Sequence, residues 1–479
     1  MKNNSRIMAA LLVTGLTLVF LTSPGLTEEE YRLTFDQFEQ AKAFYDDPRP
    51  ILKEWPWKRI LPAEVYRKLT YDKTAMKNGW AELVGFRAPE LVNRIAPEIK
   101  PGKYSCADKE KYPGLKELMW PTMYERFKPG GPPYPGNFSA FEVVPTKQYY
   151  PAMPIIAATM KHLDQAKLDD QGYLIENTYT AGLPFPQPGG KHKPQQIVYN
   201  WVKGYLSLEN LYMLQQLKGY TAGLKEDFDS KAVYWALRLQ ARAYMAPDGW
   251  YDPRSQANGE VKAFAMQYLT PRDLYGNVIT ATMYQGWNDY DQFMIYLAAL
   301  RRVRKLSGTD TQDAVAGMDV IYEDSGMWSQ KITPEKHPYR YNIIADREYL
   351  VPAYTEDGAE YLGKHGLEWH NLKFERRPCY VLEMTQLDKS YVYGKRIAYI
   401  DKETFHILEI DNYDQKGRLY RTQTTIWAWH PEFGSYGMWQ TLLIDHLDQH
   451  ATWGMVYGHP ATWINRKHVG MRQLIETGK

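Results

Sequence analysis

The sequence predicts an α+β protein: one large antiparallel meander, curled by its twist and packed on helices. Two observations carry this. From about residue 230 onward, stretch after stretch alternates apolar and polar residues with period two, the signature of strands. Short polar turns such as "DKET", "NYDQKG" and "TQLDKS" separate most of these stretches, and sequential strands joined by tight turns become antiparallel neighbours.

The elements follow in chain order. Residues 1–25 have the form of a secretory signal peptide. Lys2 and Arg6 precede an uncharged run from Ile7 to Leu21, then small residues at Ser23 and Gly25, although no A-x-A cleavage sequence is present. That run is short for a membrane span, which takes about 20 residues. Cleavage near residue 25 would place the mature protein in the periplasm.

Residues 26–130 are broken by proline every few residues, as in "PRPILKEWPWKRILPAEVYRKL", so helices there are short. This part reads as an N-terminal wrapping segment. Residues 131–479 are expected to form the β-meander domain with helical insertions. Within it, Ser207 to Gly219 carries Leu208, Leu211, Leu214 and Leu217 at helical spacing, with Ser207 as cap and Gly219 as stop, and predicts a helix. Val233, Trp235, Leu237 and Leu239 then alternate with polar or small residues, as do Phe264, Met266 and Tyr268. "DQFMIYLAALRRVRKL" is a further strand with a basic end at Arg301 to Lys305. "YVLEMTQL", "YVYGKRIAYID", "FHILEID" and "RLYRTQTTIWAW" continue the meander, and Leu442 to His450 suggests a short helix.

Charge excludes some functions. The chain holds 58 Lys+Arg and 56 Asp+Glu. Removing the leader takes away Lys2 and Arg6 and leaves equal numbers. A neutral chain lacks the basic surface that supplies most nucleic-acid affinity. Cys106 and Cys379, far apart and outside any C-x-x-C, give no zinc or redox motif; export permits a disulfide between them without requiring one.

No nucleophile elbow, phosphate loop or dinucleotide fingerprint is present, and the expectation is a non-enzyme without cofactor. Asp401, Glu403, Glu409, Asp411 and Asp414 crowd one stretch. Aligned as a calcium loop on Gly417, they put Lys416 at a ligand position, which repels the ion. They read instead as turn, strand-edge and solvent-side acids. His446 and His450, four apart, would share a helix face and are weak metal candidates, since Leu447 stands where a metalloprotease has glutamate. His365 and His370 are weaker still.

"FERRPCYVLEMTQLDKSYVYGKRIAYIDKETFHILEIDNYDQKGRLYR" resembles a large family of exported bacterial proteins without assigned function, often described as outer-membrane lipoprotein-sorting-protein-like. "NGWAELVGFRAPELVNRIAPEIKPGKY", "RRVRKLSGTDTQDAVAGMD" and "REYLVPAYT" are similar to the same family. The resemblance implies a LolA/LolB-like fold, an antiparallel sheet rolled into a half-open barrel with helices packed on or closing its concave face, and in those carriers the concave apolar face holds acyl chains. It also implies work beside an RND-type transporter and an outer-membrane β-protein. It brings no catalytic residue.

The functional expectation is a periplasmic carrier or chaperone of a lipid, lipoprotein or other hydrophobic molecule. Candidate lining residues are Trp235, Leu237, Leu239, Phe264, Met266, Tyr268, Tyr380, Leu382 and Met384, with ordinary core as the competing role for each. One alternative is a non-catalytic assembly subunit, with Arg301–Lys305 and Arg376–Arg377 facing a protein partner. The other is a metal-dependent hydrolase around His446 and His450.

Overall fold

The computed structural model describes residues 61–130, 136–204, 209–286, 289–306, 312, 318–329, 331–335, 337–356 and 369–470. The signal-peptide expectation, His365, and the Ser207 cap with Leu208 lie outside the described residues. Short helices α1 (Ala63–Lys68), α2 (Lys73–Val84), α3 (Gly114–Leu118) and α4 (Pro121–Arg126) occupy the N-terminal part, interrupted by strand β1 (Gly102–Ser105). The Asp72 carboxylate accepts the Ala75 N–H at 2.6 Å to start α2, and Gly85, at φ 86°, ends it. Strand β2 (Ala140–Val143) and helices α5 (Met153–Lys161) and α6 (Lys193–Gly204) follow.

The rest is sheet. A first meander comprises β3 (Asn210–Tyr220), β4 (Glu226–Arg238), β5 (Glu260–Thr270), β6 (Val278–Tyr284), β7 (Gln292–Leu297) and β8 (Arg302–Leu306), with helix α7 (Pro253–Asn258) between β4 and β5. The second comprises β9 (Tyr339–Pro352), β10 (Lys373–Gln386), β11 (Lys395–Asp401), β12 (Ile407–Tyr413), β13 (Leu419–His430), β14 (Ser435–Asp445) and β15 (His450–Pro460). All fifteen strands form one sheet in the order β1-β2-β10-β11-β12-β13-β14-β15-β3-β4-β5-β6-β7-β8, with β9 on β10. The two meanders are joined where β15 runs antiparallel to β3, from Ala451 opposite Tyr220 to Pro460 opposite Leu211. The sheet is mixed, because β2 runs parallel to β10 at Lys373 and Phe374. It is open: β1 and β8 end the path.

Three expectations are corrected. The Leu211–Gly219 stretch is strand β3, not helix. Its Tyr212, Leu214 and Gln216 are buried while Leu211, Met213, Gln215 and Leu217 are half-buried on the other face. Both faces of β3 are covered, so leucines spaced by three fall on alternating sides and imitate a helical stripe. The stretch from Leu442 to His450 is the end of β14, a turn and the first residue of β15. The basic run does not extend the preceding strand: a 3-10 turn with Arg301 at φ 49° folds it back as the exposed edge strand β8. Lys and Arg on an edge strand hinder edge-to-edge pairing.

The reading of the acids between Asp401 and Asp414 is corrected in part as well. Asp414 is a turn acid, accepting the Lys416 and Arg418 N–H groups at 2.9 Å ahead of Gly417, and Asp401 accepts the Glu403 and Thr404 N–H groups of its own turn at 2.7 and 3.1 Å. Asp401, Glu403, Glu409 and Asp411 are buried. Arg377, also buried, donates to Asp401 and Glu403, each at 2.7 Å. Glu403 further accepts the N–H groups of Ala88 (3.0 Å) and Tyr149 (2.9 Å). Glu409 receives Arg126, Trp120 Nε1, Thr122 and Thr424, and Asp411 receives Thr122 and Thr422. Arg376, offered as a surface cation, is buried against Glu348 at 3.2 Å.

These acids therefore bind the N-terminal segment to the sheet. Burying a carboxylate is costly unless it is paired and hydrogen-bonded. Each of these has its donors, several of them from residues 88–149. Trp120 also stacks on Tyr399, with ring centroids 4.5 Å apart. Cys106 and Cys379 are both free thiols, and Cys379 is buried in β10.

Candidate functional site

A cavity of about 700 Å³ lies on one face of the sheet. Leu211, Met213 and Leu217 of β3, Tyr234 and Ala236 of β4, Phe264 and Met266 of β5, Ile279 of β6 and Phe293 of β7 contribute to its wall. So do Leu306 of β8, Trp427 of β13, Thr441 of β14 and Val456 of β15. Register explains the selection: Ala236 faces Phe264, Phe264 faces Ala281, and Ala281 faces Phe293, so one side chain per strand repeats on the same face. Nine neighbouring strands reach one cavity. Laid flat at about 4.8 Å per strand they would span about 38 Å. A sphere of 700 Å³ is only about 11 Å across, so the sheet must curl around it.

The mouth side is closed by two segments. Tyr199, Val202 and Lys203 come from the end of α6, and Met318, Val320, Tyr322, Trp328 and Ile332 from the stretch before β9. Tyr322 packs edge-on to Phe293 at 4.4 Å. Trp201 of α6 donates to the Trp328 carbonyl at 3.0 Å, which ties the two covering segments together.

Of the nine lining candidates, Phe264 and Met266 line the cavity. Trp235 and Leu237 have the opposite parity on β4 and, with Leu239 just past its end, enter the main core, where Trp235 meets Tyr212 at 5.8 Å and Tyr212 meets Trp463 at 5.7 Å. Tyr268 shares the parity of Phe264 but lies farther along β5, outside the wall. Tyr380, Leu382 and Met384 belong to the core on β10. Lys193 and Lys402 each sit 4.8 Å from the Tyr380 ring.

The two histidines do not share a helix face. His446, in the β14–β15 turn, contacts the Thr422 hydroxyl through Nε2 at 2.8 Å, and burial pushes its pKa down to about 4. His450 bridges Asp319 (Nδ1, 2.7 Å) and Asp227 (Nε2, 3.0 Å). Burial opposes the charged imidazole, but the bonds and charges of Asp319, then Asp227, outweigh it and raise the pKa. Asp319 adjoins Met318 and Val320 of the cavity wall, so this ion pair fastens a covering segment to β15. Among the described residues, no group of three or more His, Cys, Asp or Glu is arranged to hold a metal ion.

The wall also carries charge that the sequence reading did not single out. Arg238 and Lys262 line it from β4 and β5. The available signal was parity: Lys262 lies on the Phe264–Met266 face, a lysine on an otherwise apolar stripe.

An open sheet curled over an internal, largely apolar cavity and backed by short helices defines a protein built around an enclosed space. The chain belongs to the family described as "Protein of unknown function (DUF1329)", whose model matches residues 109–471, roughly three quarters of the sequence. It is 22% identical over 276 residues to the uncharacterized protein PA3922 of Pseudomonas aeruginosa. That match covers 55% of this chain and 57% of the relative. Among solved structures, it resembles a domain described as an outer membrane lipoprotein-sorting protein from Vibrio parahaemolyticus (18% identity, TM-score 0.40, covering 57% of this chain and 93% of that one). It also resembles the LolA superfamily protein NE2245 from Nitrosomonas europaea (12% identity, TM-score 0.36, covering 58% and 98%).

Proposed function

We propose that the protein is a carrier or chaperone for a lipid, a lipoprotein acyl chain or another hydrophobic molecule in the periplasm, acting with an envelope transport system. The observation that supports this is the cavity: its 700 Å³ falls within the range of about 300–1,000 Å³ typical of small-molecule sites. Its wall is mainly aliphatic and aromatic. The periplasmic location rests on the leader-like N-terminus. Among the described residues, no helix is long and apolar enough to cross a membrane.

The energetics suit a carrier. Each methylene taken out of water contributes about 0.8 kcal/mol, so a twelve-carbon tail contributes up to about 10 kcal/mol. Association costs of at least about 4 kcal/mol leave roughly 6 kcal/mol, a Kd of tens of micromolar. Binding of that strength can be both loaded and released.

The test is titration of delipidated protein with the neutral fluorescent probe N-phenyl-1-naphthylamine. Saturable uptake that is lost in Met266→Trp, where the indole occupies the cavity, is the expected result. Absence of saturable uptake would contradict a carrier.

A further inference from the structure

We infer that the cavity selects an anionic amphiphile, with the negative head group held at Lys262 and the alkyl chain along Phe264, Met266 and Ile279. The inference rests on the carrier reading and specifies its ligand class.

The geometry is a cross-strand pair. Arg238, the last residue of β4, and Lys262 of β5 are direct register partners, and both line the cavity. Directly opposed side chains have Cβ atoms about 4.5–5.5 Å apart, and like charges so placed repel. An apolar wall would ordinarily avoid such a pair. Among the described residues, no carboxylate lies within 4.0 Å of the Lys262 ammonium, whose nearby contact is the Phe264 ring, 5.9 Å from Nζ.

The acids at this end are otherwise engaged. Glu176 pairs with Lys203 at 3.0 Å. Glu209 accepts the N–H groups of Ala243, Tyr244 and Met245 and lies 3.9 Å from Arg242. Glu260 forms ion pairs with Arg466 at 2.6 Å and Arg254 at 3.3 Å.

Burial, then the charge of Arg238, pushes the Lys262 pKa down to about 8. The ammonium is thus still mainly charged at neutral pH. An anion at Lys262 would give the ammonium a charge-assisted contact and offset the repulsion from Arg238. Phe264, Met266 and Ile279 continue from Lys262 on the same face, so a head group bound there would direct its tail down the apolar wall.

Displacement of N-phenyl-1-naphthylamine from the delipidated full chain distinguishes the possibilities, with dodecanoate, dodecyl phosphate, dodecanol and dodecyltrimethylammonium as competitors. Dodecanoate or dodecyl phosphate, or both, should compete at least about tenfold better than dodecanol, and the cationic amphiphile worst. A preference between the two anions identifies a carboxylate or a phosphate head. In Lys262→Met the anion and alcohol should differ by less than about threefold, and Lys262→Arg should keep the preference. Equal competition by anion and alcohol in the wild type, or an anion preference that survives in Lys262→Met, would overturn the inference while leaving a carrier. Failure of every amphiphile, together with no uptake of the neutral probe, would overturn the carrier reading itself.

Discussion

Replacing Arg126 by methionine tests how the N-terminal segment is held. Arg126 and Glu409 are both buried, with side chains 8% and 0% exposed, so the pair is not weakened by solvent. Breaking a buried pair by removing one partner costs about 3–5 kcal/mol, because the remaining charge stays desolvated. Trp120, Thr122 and Thr424 still donate to Glu409 in the variant, which places the loss near the lower bound. A loss of about 3 kcal/mol is a large share of the roughly 5–15 kcal/mol by which domains are stable. The assay is urea unfolding followed by tryptophan fluorescence, with Trp120 as a reporter within the cluster. Adding Glu409→Gln to Arg126→Met should recover part of the loss, because the stranded charge is gone. A loss below about 1 kcal/mol, the level of an exposed ion pair, would refute the assignment of these acids as the docking contacts.

Other expectations follow from the same residues. Burial, then the neighbouring Glu409, raises Asp411 to about 7. The folded state therefore binds its proton more tightly than the unfolded state, and stability falls as pH rises from about 4 to 7. Asp411→Asn should flatten that part of the unfolding profile, and an unchanged slope would count against it. His450 has the opposite charge type: its raised pKa contributes stability that is complete below about 6.5, the unfolded value, and is lost as pH rises through the folded value. His450→Leu should thus be destabilising mainly at acidic pH, by about 1 kcal/mol or less because the site is partly solvated; a deficit that grows toward pH 9 would contradict the pairing. Burial raises the Cys379 thiol well above its ordinary pKa, so it should resist thiol reagents in the folded protein while Cys106 reacts. Equal labelling rates would place Cys379 at the surface.

Much of the sheet was legible because its signals are local. Asp414 and Gly417, at φ 80°, mark the β12–β13 hairpin within a few residues, and alternation marks the flanking strands. Strand β3 was hidden by coverage on both faces, since Leu211, Leu214 and Leu217 spread over two sides of a strand while spaced like a helix. The buried acids were misread for a different reason. Glu409 finds Arg126 at a separation of 283 residues, and nothing near Glu409 in sequence announces that partner. The cavity wall was half legible. Alternation separated the two faces of β4 and β5 correctly, but it cannot say which apolar face packs and which lines space. On β4, Trp235 and Leu237 belong to the packed face and Tyr234 and Ala236 line the cavity; on β5, Phe264 and Met266 line it. The charged end depended on register between β4 and β5, which the intervening α7 loop leaves undetermined in the sequence.

The central claim is that the cavity holds a hydrophobic molecule. Its most direct measurement is organic extraction and mass spectrometry of the full chain purified without detergent from the cells that produce it, beside Met266→Trp prepared identically. A lipophile recovered near one equivalent from the native protein and depleted in the variant is the predicted result. An extract without any such species, from protein that also takes up none when offered, would contradict the account.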